Sequence, residues 1–586
     1  MRPRVVGMAE LVTDWIQYTL IGCQLHLLEL ALTVLVVLLA LRAPRSGTGL
    51  FQRVEASLDR LSRRPRLCVA VIGLAPVLIR VALLPVLSPP APDVHDEFSY
   101  LLAAYTFAHG RLTNPPHPMW EAFESFHIIQ RPSYASKYPP AQALFLAAGE
   151  VMTGYPWAGV VLSVGLMCAT VVWMLQGWLP ARWALVGGLI AAIRFGVFSY
   201  WMNSYWGGAA AALGGALVMG VLPRLRREIR VRHSAVLACG IALLANSRPY
   251  EGLLLATPAL VTAAVWVLRG TIRPRTAAIR LVIPASLILS AVAAWNLYYN
   301  WRVTGDPFTL PYQVHQKQYA LISHFIWQPY RTTPPEYGNS EMRRYFTEFE
   351  LQAFPPFHPV KYVRKIFGKM REFWLFFVSP ALTVPLLLVL RRPGARELRP
   401  LVAVFLVSWA GYAITVYWLA AHYAAPLTAV TLALLVEGLR RLRRWRFAGR
   451  PAGVFLSRAF LLLCLGLPFV AKPLGLSAIP GPASLCPTET GNVERAEIVR
   501  KLSSAPGVHL VIVRYSSAHD FHHEWVYNEA DIDRAKVVWA RDRGPQENRR
   551  LLDYFKGRTF WLLEADSRPA RLTRTSPRVS TPAAVE

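Results

Sequence analysis

The sequence predicts an all-α polytopic membrane protein of about twelve transmembrane helices, followed by a small extracytoplasmic α/β domain at the C-terminal end. Three observations lead there. Of the 586 residues, 54% are hydrophobic. Apolar runs of roughly 18 to 22 residues, long enough to carry a helix across a ~30 Å hydrocarbon core, recur along most of the chain. Arginines gather in short blocks between those runs. The runs must be helical, because lipid offers no partner to backbone N–H and C=O groups, and no strand-period alternation suggests a barrel.

The expected spans are 22–41, 67–87, 156–176, 183–200, 206–222, 234–248, 251–268, 280–298, 373–390, 401–420, 423–438 and 455–473. With simple alternation, the arginine-dense connections 42–66, 223–233, 269–280, 391–399 and 439–450 all fall on one side, which the positive-inside rule makes cytoplasmic. The opposite face receives the 88–155 loop, the SYWMNSYW and NSRPYEG turns, the long 299–372 loop, AAHYAAP and the tail from 474. Large aromatic, proline-rich loops on one face and short turns on the other describe a scaffold holding an extracytoplasmic site.

Four regions follow: an extra N-terminal helix with an Arg-rich linker (1–66), the membrane domain (67–473) with outer loops 88–155 and 299–372, the α/β domain (474–566) and a disordered tail (567–586). In the α/β domain, 493–504 and ENRRLLDYF read as helices, and HLVIVRY, KVVWARD and RTFWLLEAD as strands. The N-terminus lacks the residue order of a cleaved signal, so the first span is expected to be retained. The net charge of +28 is accounted for by topology, so nucleic acid is not an expected partner. Six cysteines (Cys23, Cys68, Cys168, Cys239, Cys464 and Cys486) form neither a disulfide framework nor a metal-knuckle spacing.

The chemistry collects in the outer loops. HDEFSYLLAAYTFAHGR opens as an amphipathic interfacial helix whose Phe98, Leu101, Leu102, Tyr105 and Phe107 are available to the membrane boundary. Asp93 or Asp96 suits its N-terminus as a cap; an Asp without a nearby cationic partner also suits a general base toward a hydroxyl. RPSYASKYPPAQALF brings Arg131, Lys137 and Tyr138 against a Pro-Pro that opens a helix, where Lys137 is either a phosphate ligand or a snorkelling interfacial lysine. Arg80, Arg194 and Arg248 lie in or at the ends of apolar spans, all toward the outer side, where intramembrane arginine is a functional hypothesis by default. The 299–331 segment mixes aromatic faces with polar edges, among them Arg302, Asp306, Tyr312, His315, Lys317, Tyr319, Trp327 and Arg331, a combination suited to carbohydrate or to a membrane interface. In the C-terminal domain HDFHHE has zinc-ligand residue types without a standard spacing, and ADID (Asp531, Asp533) imitates a metal-holding DxD in a domain too small for a nucleotide sugar.

Taken together, these outer-loop residues resemble the GT-C superfamily of polyprenyl-phosphate-sugar-dependent glycosyltransferases, in particular the group containing protein O-mannosyltransferases and lipid A aminoarabinose transferases. The resemblance rests on Asp96, Glu97, Tyr100, Gly110 and Tyr134 with Lys137, Tyr138, Pro139 and Pro140, and is strongest over 93–146. One residue separates Lys137 from the prolines, and Asn203 and Tyr205 stand where the group often has a second acid. It implies Asp96 as the catalytic acid residue, with Glu97 beside it. Lys137, with Arg248, Arg194, Arg80 and Arg131, is expected on the carrier phosphate. His95, Tyr100, Tyr138, Asn203, Tyr205, Glu251, Tyr312, His422 and Tyr423 are expected on the substrates.

The implied partners are a polyprenyl-phosphate sugar donor, a hydroxyl-bearing lipid, glycan or protein acceptor, and membrane lipids. No cofactor is expected, and a metal is not required, because the leaving group is a monophosphate held by cations. The expected location is the inner (cell) membrane. The rival readings are a transporter, which calls for broken spans and midplane polar groups rather than polar groups at one face, and a non-catalytic lipid- or glycan-binding protein with a sensor domain.

Overall fold

Packing in this chain follows from where its arginines and glycines fall. The computed structural model describes residues 23–391, 398–417, 420–471, 473–476, 483–485 and 491–575. α1 (Gln24–Arg42), the short α2 (Thr48–Ser62) and α3 (Pro65–Ala82) lead into the first outer loop. That loop holds α4 (His95–Ala108), a hairpin of β1 (Ile128–Ile129) and β2 (Ala135–Ser136), and α5 (Ala141–Thr153). α6 (Pro156–Trp178), α7 (Ala181–Ile190), α8 (Ala209–Arg227), α9 (Val231–Ala245), α10 (Pro249–Leu268) and α11 (Ile283–Thr304) follow. The second outer loop carries α12 (Pro311–Tyr319) and passes through α13 (Pro359–Phe373) to α14 (Ser379–Arg391). α15 (Arg399–Ala413), α16 (Thr428–Leu442) and α17 (Ala452–Ala471) close the bundle.

Among the described residues nine helices are long and apolar enough to cross a bilayer, which makes this a multi-pass membrane protein. The other three expected spans are shorter: α9, α15, and α7 continued to Phe195 by a π-helical turn. Two of the close helix contacts depend on glycine. A methyl group added at Gly159 of α6 would lie 1.8 Å from the Phe145 carbonyl oxygen of α5, and one at Gly438 of α16 would lie 2.0 Å from the Pro385 carbonyl oxygen of α14. Small residues at such crossings let backbones approach where lipid supplies no hydrophobic drive between helices.

The arginine-rich side closes on one carboxylate. Glu55 of α2 pairs with Arg182 at 2.9 Å, Arg443 at 3.0 Å and Arg458 at 2.9 Å, tying three connections that alternation puts on the same face. The opposite loops meet the C-terminal domain, which contains α18 (Val493–Ser504), β3 (His509–Arg514), β4 (Val537–Arg541), α19 (Pro545–Tyr554), β5 (Thr559–Glu564) and β6 (Arg571–Arg574). Its sheet order is β4-β3-β5-β6, with β3 parallel to β4 and β5, and β6 antiparallel to β5. The fourth strand lies beyond Asp566, where the sequence reading began a disordered tail. Cys486 and residues 576–586 lie outside the described residues.

The C-terminal domain is clamped to the outer loops. Arg541 pairs with Glu341 of the second loop and Glu524 of its own domain, at 2.9 and 2.5 Å, and Arg543 pairs with Glu121 of the first loop at 2.9 Å. Phe98 stacks on Tyr527 with ring centres 3.9 Å apart. α4 is therefore not an interfacial helix: Phe98 and Leu102 are buried against the C-terminal domain and Leu101 against the membrane bundle, where the sequence reading gave them to lipid.

Candidate active site

α4 starts where the proline-rich SPPAPDV ends, and Glu97 fixes that start. Its Oε2 accepts from the Asp93 and Val94 amides at 2.8 and 3.2 Å, while its Oε1 accepts from the Tyr205 amide at 2.8 Å. Burial lifts this carboxyl to about 7 despite the three donors. Glu97 thus caps the helix and fastens it to the segment before α8, a place the sequence reading gave to Asp93 or Asp96 for capping and to Glu97 for catalysis. Tyr205 belongs to the same joint, its hydroxyl donating to the Pro90 carbonyl at 3.1 Å.

One residue earlier on the helix, about 100° around it, Asp96 faces elsewhere. Its side chain is 26% exposed, Oδ1 accepts from the Tyr138 hydroxyl, and Oδ2 lies 3.9 Å from His127 Nε2. The hairpin brings the remaining partners. Ile128 pairs with Ser136, so His127 and Lys137 form the next pair out: the Lys137 amide donates to the His127 carbonyl at 3.3 Å, and Lys137 Nζ donates to His127 Nδ1 at 2.8 Å. Ser99 of α4 also donates to the His127 carbonyl, at 2.6 Å, locking hairpin to helix. Burial pushes the Lys137 ammonium down to about 8, against the opposing pull of Asp96 and Glu350. Tyr138 stacks on Tyr100 at 4.6 Å, and the Lys137 ammonium lies 5.1 Å from the Tyr138 ring.

Arg248, the residue that precedes α10, lays its guanidinium over the Tyr423 ring at 4.5 Å and is within electrostatic reach of Tyr100, Tyr138 and Glu251. Among the described residues no carboxylate forms an ion pair with Arg248 or Lys137. His422 stacks on Tyr423 at 4.9 Å and is held through Nδ1 by the Tyr200 hydroxyl at 2.9 Å. Tyr312 stacks on His324 at 4.6 Å, within reach of Glu251 and Tyr423. His95 is buried behind Asp96, stacked on Phe126 at 4.3 Å and joined through Nδ1 to the Tyr527 hydroxyl at 2.7 Å.

Two of the arginines expected on phosphate, Arg80 and Arg194, spend their donors elsewhere. Arg80 is fully buried and donates to Asn203 Oδ1 and the Leu87 and Ser88 carbonyls at 2.7 to 2.9 Å. Asn203 turns its amide to the Val197 and Ser199 carbonyls, so it too is structural. Arg194, on the π-helical turn, donates to the Leu375 and Phe376 carbonyls and to Ser379 Oγ, which in turn donates to Glu29 of α1 at 2.6 Å. Arg131 is exposed and covers the Trp120 ring at 4.4 Å. The reason is common to Arg80 and Arg194: a guanidinium inside an apolar bundle must meet its donors' needs locally, and carbonyls freed at helix ends and irregular turns do so.

The HDFHHE side chains diverge. His519 Nδ1 contacts Asp566 at 2.6 Å, Glu524 pairs with Arg541, and His522 packs edge-on against Phe349 at 4.7 Å. Asp533 reaches His117 at 3.2 Å rather than Asp531. Two members of the site escaped the sequence reading. His127 carried a signal in the pairing of FHII with YASK about a proline turn, which sets it opposite Lys137. Glu350, buried with Oε1 3.4 Å from the Tyr417 hydroxyl and close enough to Lys137 to feel its charge, carried none.

No family model matches the chain, and no curated protein matches it. Solved structures do show likeness. An oligosaccharyltransferase of Archaeoglobus fulgidus tethered to an acceptor peptide aligns at 8% identity with a TM-score of 0.46, covering 86% of this chain and 69% of that one. ArnT from Cupriavidus metallidurans bound to undecaprenyl phosphate aligns at 14% identity with a TM-score of 0.44, covering 83% and 93%. The archaeal oligosaccharyltransferase AglB from Archaeoglobus fulgidus with an inhibitory peptide and a dolichol-phosphate aligns at 10% identity with a TM-score of 0.42, covering 78% and 62%. At such scores the chemistry has to be read from this chain's own residues.

Proposed function

We propose that this chain is an inverting membrane glycosyltransferase that moves a sugar from a polyprenyl-phosphate carrier to a hydroxyl of a lipid, glycan or protein on the extracytoplasmic face of the cell membrane. The observation that carries this reading is the pairing of a partly exposed carboxylate, Asp96, oriented by Tyr138, with two cations, Lys137 and Arg248, that have no described carboxylate in an ion pair with them. A base and two cations free of a direct ion pair among the described residues are what a reaction needs when it removes a hydroxyl proton and releases a phosphate.

In this mechanism Asp96 accepts the acceptor's proton and the freed oxygen attacks the anomeric carbon. The bond from that carbon to the phosphate oxygen breaks, and its electron pair stays on the phosphate, where Lys137 and Arg248 stabilise the growing charge. Tyr100, Tyr138, Tyr423 and Tyr312 supply ring faces and hydroxyls of the kind that hold a sugar. The positive-inside distribution supports an extracytoplasmic site, since the arginine blocks around Glu55 and the loops bearing Asp96 belong to opposite faces.

The test is transfer by the purified chain. Incubated with polyprenyl phosphates carrying radiolabelled sugars and a panel of hydroxyl acceptors, it is expected to label an acceptor with the anomeric configuration opposite to the donor's. Absence of transfer from every polyprenyl-linked donor, or retained configuration, contradicts the reading.

A further inference from the structure

His127 touches both halves of the proposed chemistry, Lys137 through Nδ1 and Asp96 through Nε2. It is 7% exposed, and its backbone holds φ at +62°, a left-handed conformation uncommon for a residue with a side chain. A conformation that costs of order 1 kcal/mol persists where the surroundings over-determine it, and here they do. The His127 carbonyl is clamped by Ser99 Oγ at 2.6 Å and by the Lys137 amide at 3.3 Å. Its ring is left between two charged groups.

A lysine ammonium only donates, so the 2.8 Å contact makes His127 Nδ1 an acceptor and leaves the proton of a neutral ring on Nε2. That nitrogen lies 3.9 Å from Asp96 Oδ2, a charge contact longer than a hydrogen bond.

We propose that His127 is the positioning residue of this site, a neutral imidazole that ties down the Lys137 ammonium through Nδ1 and turns its Nε2–H toward Asp96, so that base and cation stay separate. The inference rests on the reading of Asp96 and Lys137 given above. Without the ring, the carboxylate and the ammonium collapse into a direct ion pair, which weakens the base and neutralises the cation before phosphate charge develops. The groups around the ring favour its neutral form. Burial and then the Lys137 ammonium hold the imidazole well below its usual range, with His95 and His315 at 5.7 and 5.9 Å and Tyr138 and Tyr345 both at 6.0 Å around it.

Two variants separate the ring from the backbone. His127→Gly keeps the left-handed conformation and removes the ring, while His127→Asn tolerates that conformation and restores an acceptor for Lys137. In wild type the alkaline limb of kcat/KM reports Lys137. His127→Gly is expected to lower the plateau at least 10-fold and to move the alkaline limb up, as direct pairing with Asp96 stabilises the ammonium. His127→Asn is expected to return the alkaline limb toward wild type. A lower yield of folded protein with an unmoved alkaline limb overturns the proposal.

A second readout needs no turnover. In ¹⁵N-histidine-labelled protein the His127 ring is expected to remain the neutral Nε2–H tautomer from pH 6 to 8, with its Nδ1 signal shifted by Lys137→Met. Ordinary titration near 6.5, or no response to that substitution, overturns the proposal even if the proposed transfer reaction is itself disproved.

Discussion

At the scale of single residues, adjacent carboxylates divide two tasks. Glu97 accepts three backbone amides, whereas Asp96 accepts, among the described residues, from Tyr138 alone and stays partly exposed. Glu97→Gln keeps one acceptor oxygen and should destabilise the fold by about 1 kcal/mol while transfer per folded molecule stays within roughly tenfold of wild type, read by thermal melting beside rate. In the proposed reaction Lys137 sets an alkaline limit. Its pKa is lowered to about 8, so the ammonium is present below that pH and lost above it. Donor binding should therefore weaken as pH rises through 8, and Lys137→Arg, which stays charged, should remove that limb even if its maximal rate is lower. Asp96 and Lys137 stand out in HDEFSY and SKYPP by residue type, and the fold brings both against His127. The division between Asp96 and Glu97 was not legible, because it depends on which way a helix is rotated against the Tyr205 segment.

At the scale of elements, the intramembrane arginines show how a correct alarm can have a structural answer. Arg194 signals a site by its cost in lipid, yet its partners are two carbonyls and the Ser379–Glu29 pair that fastens α1 to the bundle. Glu29→Leu should lower stability in detergent by roughly 3 kcal/mol, because it removes the carboxylate facing a buried guanidinium, and rate per folded molecule should be unchanged. A loss of transfer with unchanged melting would return Arg194 to the site. The spans were legible because hydrocarbon thickness sets their length. The fates of Arg80 and Arg194 were not, because carbonyls released by irregular turns leave no mark on hydropathy.

At the scale of the whole molecule, the C-terminal domain reads in sequence as an appended module and sits in the structure as part of the outer loops. Tyr527 holds His95 and stacks on Phe98, and Arg541 bridges Glu524 and Glu341 across the joint. Arg541→Met strands two buried carboxylates, so the domain should loosen by roughly 3 kcal/mol or more, seen as faster protease cleavage within 491–575, with transfer falling as α4 loses its cover. β3, β4 and β5 were legible from runs of β-branched and aromatic residues, but β6 and the docking were not, since β6 lies in a polar stretch and the cross-loop pairs join residues 200 to 432 positions apart in the chain.

A base at Asp96 makes sugar transfer from a polyprenyl phosphate depend on that one carboxylate. Purified wild type and Asp96→Asn are given the same radiolabelled polyprenyl-phosphate sugar and hydroxyl acceptor, and the initial rates of labelled product are measured. Asn retains the shape and an acceptor for the Tyr138 hydroxyl, so folding and donor binding should persist while the rate falls by about 10²- to 10⁴-fold, the range a positioned general base supplies. A rate within a few-fold of wild type in Asp96→Asn contradicts the account.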